Sequence, residues 1–419
     1  MERVRALVLA LALFSQPVLA QMMDMSTQGP EGLRLPHGRE GSGTSWAPDD
    51  TPVFAQHFME GDWMLMLHYS LLAGYDDQWS DRGSRRVTSV NWIMGMASHP
   101  LLGGELEFRS MLSLEPATAG GATQIPLLLQ TGETYGGVAL HDRQHPHDFF
   151  MEVAAIYRHG LVQGFGLELY AAPSGEPALG PTAFMHRTSA MLNPFPPIGH
   201  HWQDSTHISF PVLTAGLYNQ YVKLESSLFH GREPDENRWD FDIGGLDSWS
   251  SRLSVNPFSS VSFQISYGYL KSPEAARPGE NEHRFTTSGH YSSEFGDGGN
   301  LALSLVYGRD ISANGTDSIL GEAQIDLDGV NVPFARLEYV TKPAEELVVP
   351  GNASYGVALA VLGYARRFEA IGPVVPLAGI ALDVGLVPQG LESFYGTRTP
   401  VGAFVFLGLQ PAKMHMHHM

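Results

Sequence analysis

Residues 261–269 read VSFQISYGY, a stretch in which apolar side chains alternate with small or polar ones. Phe263, Ile265 and Tyr267 share a face only if the backbone is extended, because side chains in a strand alternate with a period of two. An amphipathic helix would need apolar residues three and four positions apart. The stretch therefore predicts a β-strand with one oily face and one polar face.

The same alternation recurs along most of the chain. Sixteen segments carry it, at roughly 62–74, 86–98, 104–114, 148–159, 164–172, 206–217, 221–230, 248–255, 261–270, 283–292, 299–307, 317–326, 333–340, 354–366, 374–384 and 400–409. Moving the boundaries by a few residues allows about 14 to 18 strands. The chain is therefore predicted to be all-β.

The connections between these segments alternate in length. The odd-numbered connections have 11, 33, 33, 17, 12, 9, 13 and 15 residues, and the even-numbered ones have 5, 4, 3, 5, 6, 6 and 7. Outer-membrane barrels sort their loops in this way, with long extracellular loops and short periplasmic turns. The pattern predicts a transmembrane antiparallel β-barrel of about 16 strands, with both termini in the periplasm.

The first twenty residues, MERVRALVLALALFSQPVLA, predict export. Arg3 and Arg5 precede a short apolar run and a small-residue cleavage site, so we interpret residues 1–20 as a signal peptide. The domain prediction is then a periplasmic N-terminal arm at 21–61, an outer-membrane barrel at 62–409 and a Met/His-rich periplasmic tail at 410–419.

The composition excludes several classes of protein. Lys and Arg number 25 against 44 Asp and Glu, and the resulting net charge of −19 argues against nucleic-acid binding. The absence of cysteine excludes disulfide scaffolds and thiolate metal sites. A mean hydropathy of −0.09 fits a barrel, because only every second residue of a strand has to be oily.

Methionine and histidine are concentrated at both ends of the mature chain. Residues 21–25 read QMMDM, and the last six residues are Met414, His415, Met416, His417, His418 and Met419. Thioether sulfur suits soft Cu(I), whereas imidazole suits Cu(II), Zn and Ni. The termini therefore predict copper binding in the periplasm, and a tail without a function is the alternative.

A second concentration lies between residues 141 and 207, which hold eight of the 18 histidines. The segments HDRQHPHDFF and GHHWQDSTH supply the candidate metal ligands His141, His145, His147, His200, His201 and His207. Several imidazoles with a carboxylate make a competent transition-metal site. The alternative is that these histidines satisfy backbone groups in long loops folded into the lumen.

The first strand offers further metal ligands. Met64, Met66 and His68 alternate with four residues predicted to face lipid, Trp63, Leu65, Leu67 and Tyr69. The three are therefore predicted to point into the lumen, where weak sites for a soft cation suit conduction. Ordinary packing against an inward-folded loop is the alternative explanation.

Two methionines of the second strand are interpreted differently. Met94 and Met96 share parity with Val90 and Trp92, whereas Ser89 and Asn91 occupy the other face. The parity predicts that both methionines face lipid.

In architecture the chain resembles Gram-negative outer-membrane β-barrel proteins over its whole mature length. The segments QTGETYGG, HDRQHPHDFF, GHHWQDSTHISF and FHGREPDENRWDFD are similar to those of bacterial barrel proteins with no established activity. The Met/His-rich termini resemble those of outer-membrane copper-resistance proteins, although here the N-terminal arm is short and the richer tract is C-terminal. That resemblance implies a copper ion, and no organic cofactor is expected.

Three functions follow from these patterns. The first is a non-enzymatic outer-membrane barrel that binds or transports a soft transition-metal cation, copper above all, with lipid and the metal ion as its partners. The alternative is a general porin or solute channel with structural histidines. The third is an outer-membrane lipid or ester hydrolase, in which His207 and Ser209 share a strand face and Asp204 orients the histidine.

Overall fold

The computed structural model describes Leu33 and residues 35–162, 164–275, 277–296, 298–311 and 315–414. The predicted signal peptide and residues 415–419 lie outside the described residues. Within the described ranges, no helix is both long enough and apolar enough to cross a bilayer.

Antiparallel strands dominate the structure. The strands are β1 (Gln56–Glu60), β2 (Trp63–Trp79), β3 (Arg85–Leu101), β4 (Gly104–Leu112), β5 (Ile125–Tyr135), β6 (Val138–Gln144), β7 (Phe150–Gly160), β8 (Gly166–Ser174), β9 (Val212–Tyr218), β10 (Val222–Phe229), β11 (Ser248–Phe258), β12 (Val261–Leu270), β13 (Glu282–Phe295), β14 (Gly299–Asp310), β15 (Thr316–Asp326), β16 (Asn331–Pro343), β17 (Ser354–Arg367), β18 (Val374–Leu386) and β19 (Val401–Pro411). The helices are single turns at His37–Arg39, Glu115–Thr118, Phe184–His186, His200–Gln203, Ser205–His207, Gln389–Leu391 and Glu392–Tyr395.

Sixteen of these strands close into a barrel. Each pairs antiparallel with the next along the wall, and β19 pairs with β2 to complete the ring. The short β1 continues the ladder at the start of β2, and β5 pairs with β6 in a separate hairpin. Every one of the sixteen predicted segments overlaps a barrel strand, so the prediction of a 16-stranded antiparallel barrel is confirmed.

The two faces of the wall follow the alternation read from the sequence. On β12, Phe263 and Ile265 are 50% and 45% exposed, whereas Ser266 is 2% exposed. Apolar side chains therefore point outward and small polar ones inward, which is the arrangement of a barrel whose surroundings are lipid.

The connections between strands also follow the prediction. At one end the turns are tight, as between β3 and β4 or between β11 and β12. At the other end, long segments join β4 to β7 and β8 to β9. Long loops mark the extracellular end of outer-membrane barrels, so β2 runs outward.

The two longest loops fold into the barrel. The first carries the β5–β6 hairpin, and its residues Leu127, Leu128 and Leu129 are buried against inward-facing Val357 and Phe404. The second is held through Arg187, which donates to both carboxylate oxygens of Glu322 on β15 at 2.9 and 3.1 Å. The lumen is thus a packed interior with apolar as well as polar walls.

The described part of the N-terminal arm lies in the same interior. Arg109 of β4 donates to the carbonyl of Gly43 at 2.9 Å, and Lys223 of β10 donates to the carbonyl of Thr44. Ser262 of β12 donates to the carbonyl of Trp46 at 3.0 Å. Residues 43–46 therefore contact the inner wall. We call this segment and the two inward-folded loops, residues 113–149 and 175–211, the plug.

Glu322 is the acceptor that ties the plug to the wall, and its removal tests this anchoring. Besides Arg187, it accepts from Arg336 at 2.8 Å and from Ser189 at 3.1 Å. Glu322→Ala would remove the carboxylate that two buried guanidinium groups share and leave Arg187 with Asp204 alone, so we expect a loss of about 3–5 kcal/mol in the free energy of unfolding. Urea unfolding in lipid vesicles measures it.

The matched control is Glu294→Ala. Glu294 is 55% exposed and pairs with Lys413 at 2.6 Å. Surface ion pairs contribute at most about 1 kcal/mol. Equal losses in the two variants would contradict the assignment of Glu322 as the anchor.

Candidate metal centres in the lumen

The plug brings five of the six predicted loop histidines together. The first loop carries His145 and His147 just beyond the β5–β6 hairpin, and the second presents His200, His201 and His207 from two successive helical turns. The ring centroids of His145 and His201 are 6.4 Å apart, and those of His147 and His207 are 5.4 Å apart.

His141 is the exception among the predicted loop ligands. Its Nδ1 lies 2.5 Å from Asp142 Oδ2 and accepts from Arg82 Nε at 3.1 Å. The structure therefore places it in an ion-pair network of the hairpin and does not bring it to the other histidines. Its role as a metal ligand stays a prediction.

Three of the histidines form a group that we call the histidine triad: His147, His200 and His207. His147 Nδ1 donates to Glu115 Oε2 at 2.8 Å, and His200 Nδ1 donates to Asp204 Oδ1 at 2.7 Å. His207 Nδ1 donates to the Asp204 carbonyl at 2.7 Å. This is the arrangement of metal-binding histidines, because a hydrogen bond at Nδ1 fixes the tautomer and leaves the lone pair on Nε2.

The free nitrogens of the triad are available to a cation. His207 Nε2 is buried and has no hydrogen-bond partner among the described residues. Burial lowers the pKa of His200, and burial with the neighbouring His200 and His147 lowers the pKa of His207 well below its usual value. Both imidazoles are therefore neutral near pH 7, as a metal ligand must be.

The carboxylates behind the triad are held in place themselves. Asp204 Oδ2 accepts from Arg187 at 3.0 Å and from the Phe184 backbone at 3.1 Å. Glu115 Oε1 accepts from the Asn91 backbone on β3 at 3.1 Å. The orientation of the triad is thus set by groups that are anchored to the wall.

A second group lies beside the triad and combines imidazole with carboxylate: Glu133, His145 and His201. One potential ligand atom from each lies within 4.8 Å of the others. Burial lowers the pKa of His145 to about 4 despite the nearby Glu133. For His201, burial alone would lower the pKa, but carboxylates led by Glu233 outweigh it and raise the pKa to about 10. A cation here would displace that proton.

Nearer the short-turn end of the barrel, methionine joins histidine and carboxylate. Eight methionine and histidine residues line one cavity of about 90 Å³ together with Glu40: His37, Met66, His68, Met94, Met96, Met185, His186 and Met191. Met64 lines an adjoining cavity of about 40 Å³ together with Met66 and Met96. The inward direction predicted for Met64, Met66 and His68 agrees with this lining, and their role as metal ligands stays a prediction.

The prediction that Met94 and Met96 face lipid is wrong. Met94 is buried with Met111 and Phe184, and Met96 packs beside it. Both share parity with Trp92, whose ring centroid lies 5.0 Å from that of His186 in the second loop. Met94, Met96 and Trp92 do share one face of β3, as predicted, but that face points into the barrel. It is apolar because the part of the plug that it contacts is apolar.

The C-terminal tail begins at the same place. Met414 donates its backbone N–H to the Val53 carbonyl at 2.8 Å, and its side chain packs against the buried cluster that contains Met66. The remaining predicted ligands of the tail, His415, Met416, His417 and His418, lie outside the described residues.

The proposed hydrolase pair is not assembled as predicted. His207 and Ser209 precede β9 and do not share a strand face. His207 Nδ1 bonds the Asp204 carbonyl, and Ser209 Oγ donates to the Thr206 carbonyl at 3.2 Å. Both side chains therefore bond backbone carbonyl groups in turns of the plug.

Several residues of these sites carried no interpretable signal in the sequence. Glu115 and Glu133 are remote along the chain from the histidines they contact, and neither belongs to a motif. His186 lies in the histidine-rich stretch but alone among apolar residues. Only the fold of the plug brings them into place.

Comparison with known proteins identifies the architecture. No protein-family model and no curated protein matches the chain. Among solved structures, OmpF of Salmonella typhi, in complex with daunomycin, matches with a TM-score of 0.50 at 12% identity, covering 85% of this chain and 100% of that one. The outer-membrane channel DcaP of Acinetobacter baumannii matches at 0.47 and 7% identity, with coverages of 84% and 98%. A porin matches at 0.43 and 12%, with coverages of 83% and 99%.

The likeness to OmpF, together with the closed ring of sixteen strands, shows a porin-type fold. Such barrels occupy outer membranes. The chain is therefore an outer-membrane β-barrel with the fold of bacterial porins.

Proposed function

We propose that this barrel binds and passes a transition-metal cation, with copper as the favoured metal, and that the histidine triad is the site that receives the ion from the extracellular side. The observation that carries the proposal is the hydrogen bonding of His147, His200 and His207, each of which is engaged at Nδ1 by an oxygen. Three imidazoles supply enough ligands for a transition metal. Among the described residues, the histidine-containing group whose potential ligand atoms already lie within 4.8 Å of one another is Glu133, His145 and His201, so the three rings of the triad have to draw together to bind an ion.

The choice of copper rests on ligand chemistry. Divalent Cu²⁺ binds nitrogen and oxygen ligands more tightly than its first-row neighbours, and thioethers add affinity for Cu(I). The net charge of −19 supports the proposal as well, because an excess of negative charge raises the local concentration of cations.

Removing the triad tests the proposal directly. We expect His147→Ala/His207→Ala to weaken Cu²⁺ and Zn²⁺ binding by more than the roughly 10- to 100-fold that follows loss of a single outer hydrogen-bond partner. Isothermal titration of the detergent-solubilised protein measures this. His283→Ala is the control, because that histidine contacts Tyr267 on the barrel wall. Unchanged affinity in the double variant would refute the assignment.

Glu115, the carboxylate that accepts from His147, gives a second test that changes a single hydrogen-bond partner of the triad. Glu115→Gln keeps the size of the side chain but replaces the charged acceptor of His147 Nδ1, so we expect Cu²⁺ affinity to fall roughly 10- to 100-fold. Circular dichroism checks that the fold is kept. An affinity equal to that of the unaltered protein would show that His147 does not bind the ion.

General solute passage is the second candidate function, and the porin-type barrel favours it. The plug bears on this choice, because residues 43–46 and both long loops occupy the lumen. Under the metal proposal, we expect proteoliposomes of the full chain to admit Cu²⁺, read by an entrapped fluorescent chelator, and to exclude disaccharides, read by swelling. Swelling in disaccharides with no selective entry of Cu²⁺ would favour the general channel.

A further inference from the structure

The cavity lined by Met66, His68, Met94, Met96, Met185 and His186, which we call the methionine cavity, is chemically distinct from the histidine triad. Thioether sulfurs and imidazole nitrogens predominate among its metal-binding groups, and Glu40 adds one carboxylate. Thioethers carry no charge, and soft ligands of this kind select soft cations such as Cu(I) and Ag(I) over hard ones.

Apolar filling of the core does not account for how these side chains are arranged. Methionine is a common filler of irregular gaps, and a filler contacts other apolar groups. Here His68 Nε2 contacts Met66 Sδ, and His186 Nε2 lies 3.4 Å from Met111 Sδ. Two half-buried imidazoles thus direct a ring nitrogen at a thioether, which is only a weak hydrogen-bond acceptor. Met66 and both histidines line the cavity, and Met111 lies beside it.

The charge around the cavity suits a monovalent ion. Arg109 lines the cavity, but its guanidinium bonds Glu107 at 2.8 Å and lies 3.7 Å from Glu40. The one cation on the lining is therefore offset by carboxylates.

The cavity and the triad share one turn of helix, Phe184–His186. The Phe184 ring packs against all three triad rings, with centroid distances of 5.9, 5.8 and 6.1 Å. Two residues later, His186 lines the methionine cavity. One turn of helix therefore contacts the triad with its first residue and the methionine cavity with its last.

Methionine side chains continue from the methionine cavity toward the periplasmic end of the barrel. Met66 and Met96 border both the methionine cavity and the adjoining smaller one, which also contains Met64. Met414 packs against the cluster of Val53, Ala55 and Met66. Methionine donors thus run from the middle of the lumen toward its short-turn end.

We propose that the methionine cavity is a second metal site, separate from the triad and specific for a soft monovalent cation such as Cu(I) or Ag(I) that enters the lumen already in that oxidation state. The inference rests on the proposed function, since it adds a site for a softer class of ion to the same lumen. Several adjacent weak sites would permit the ion to move on.

Silver is the probe for the test, because Ag(I) binds thioethers and is not reduced or oxidised during titration. We expect Met66→Leu/Met96→Leu to reduce Ag(I) affinity of the full-length protein by more than about 10-fold. Leucine conserves volume, so the fold is kept. The control is Met59→Leu, because Met59 lies exposed on β1.

X-ray absorption at the silver edge gives a second readout. The unaltered protein is expected to show Ag–S scattering, and the double variant is expected to lose part of it. Wild-type affinity and unchanged Ag–S scattering in the double variant would overturn the proposal.

The experiments distinguish failure of the triad proposal from failure of the methionine-cavity proposal. The double methionine variant should keep its Cu²⁺ and Zn²⁺ affinity, because the triad is intact. Loss of Zn²⁺ binding in that variant would mean that the methionines act on the fold and would overturn their assignment as ligands. Absence of Cu²⁺ and Zn²⁺ binding in the unaltered protein, with Ag(I) bound through sulfur, would refute the triad and leave the methionine cavity as the entry site.

Discussion

Closure of the strand ladder is the constraint on which the rest of this structure depends. A strand that crosses a bilayer must have its backbone groups bonded to neighbouring strands, because lipid offers no partners. Pairing of β19 with β2 meets that requirement and dedicates one face of every strand to lipid. The buried charged groups of the wall, such as Arg252, Arg284 and Arg336, then lie in the interior. Their pairing with one another and with the plug determines what the lumen can hold.

Most of the barrel could be predicted from the sequence, because period-two alternation and loop length depend only on local side chains and on the membrane. The interior could not be predicted. Alternation separates the two faces of β3 but does not say which faces lipid, and the apolar side chains of Trp92, Met94 and Met96 indicated the wrong one. The β5–β6 hairpin was missed as well, since its register is irregular between Pro126 and Thr134.

In the candidate sites, too, some features could be predicted from the sequence and others could not. Clustering of histidine in two loops was visible as composition, and five of the six loop candidates do meet. Their partners Glu115 and Glu133 were not visible, because they come from other parts of the first loop. The methionine cavity draws most of its methionines and histidines from two strands, β2 and β3, and a helical turn. The residue types that could bind a metal can thus be read from the sequence, whereas their arrangement in space depends on how the plug folds.

The wall holds the N-terminal segment largely by its backbone. Arg109, Lys223, Ser262 and Asn256 donate to the carbonyls of Gly43, Thr44, Trp46 and Ala47, in that order. Side chains of the segment are held as well, since Arg252 donates to Thr44 Oγ1 and the Trp46 ring lies beneath Arg39 and Lys223. A single inserted or deleted residue would shift the four carbonyl acceptors out of step with four fixed donors.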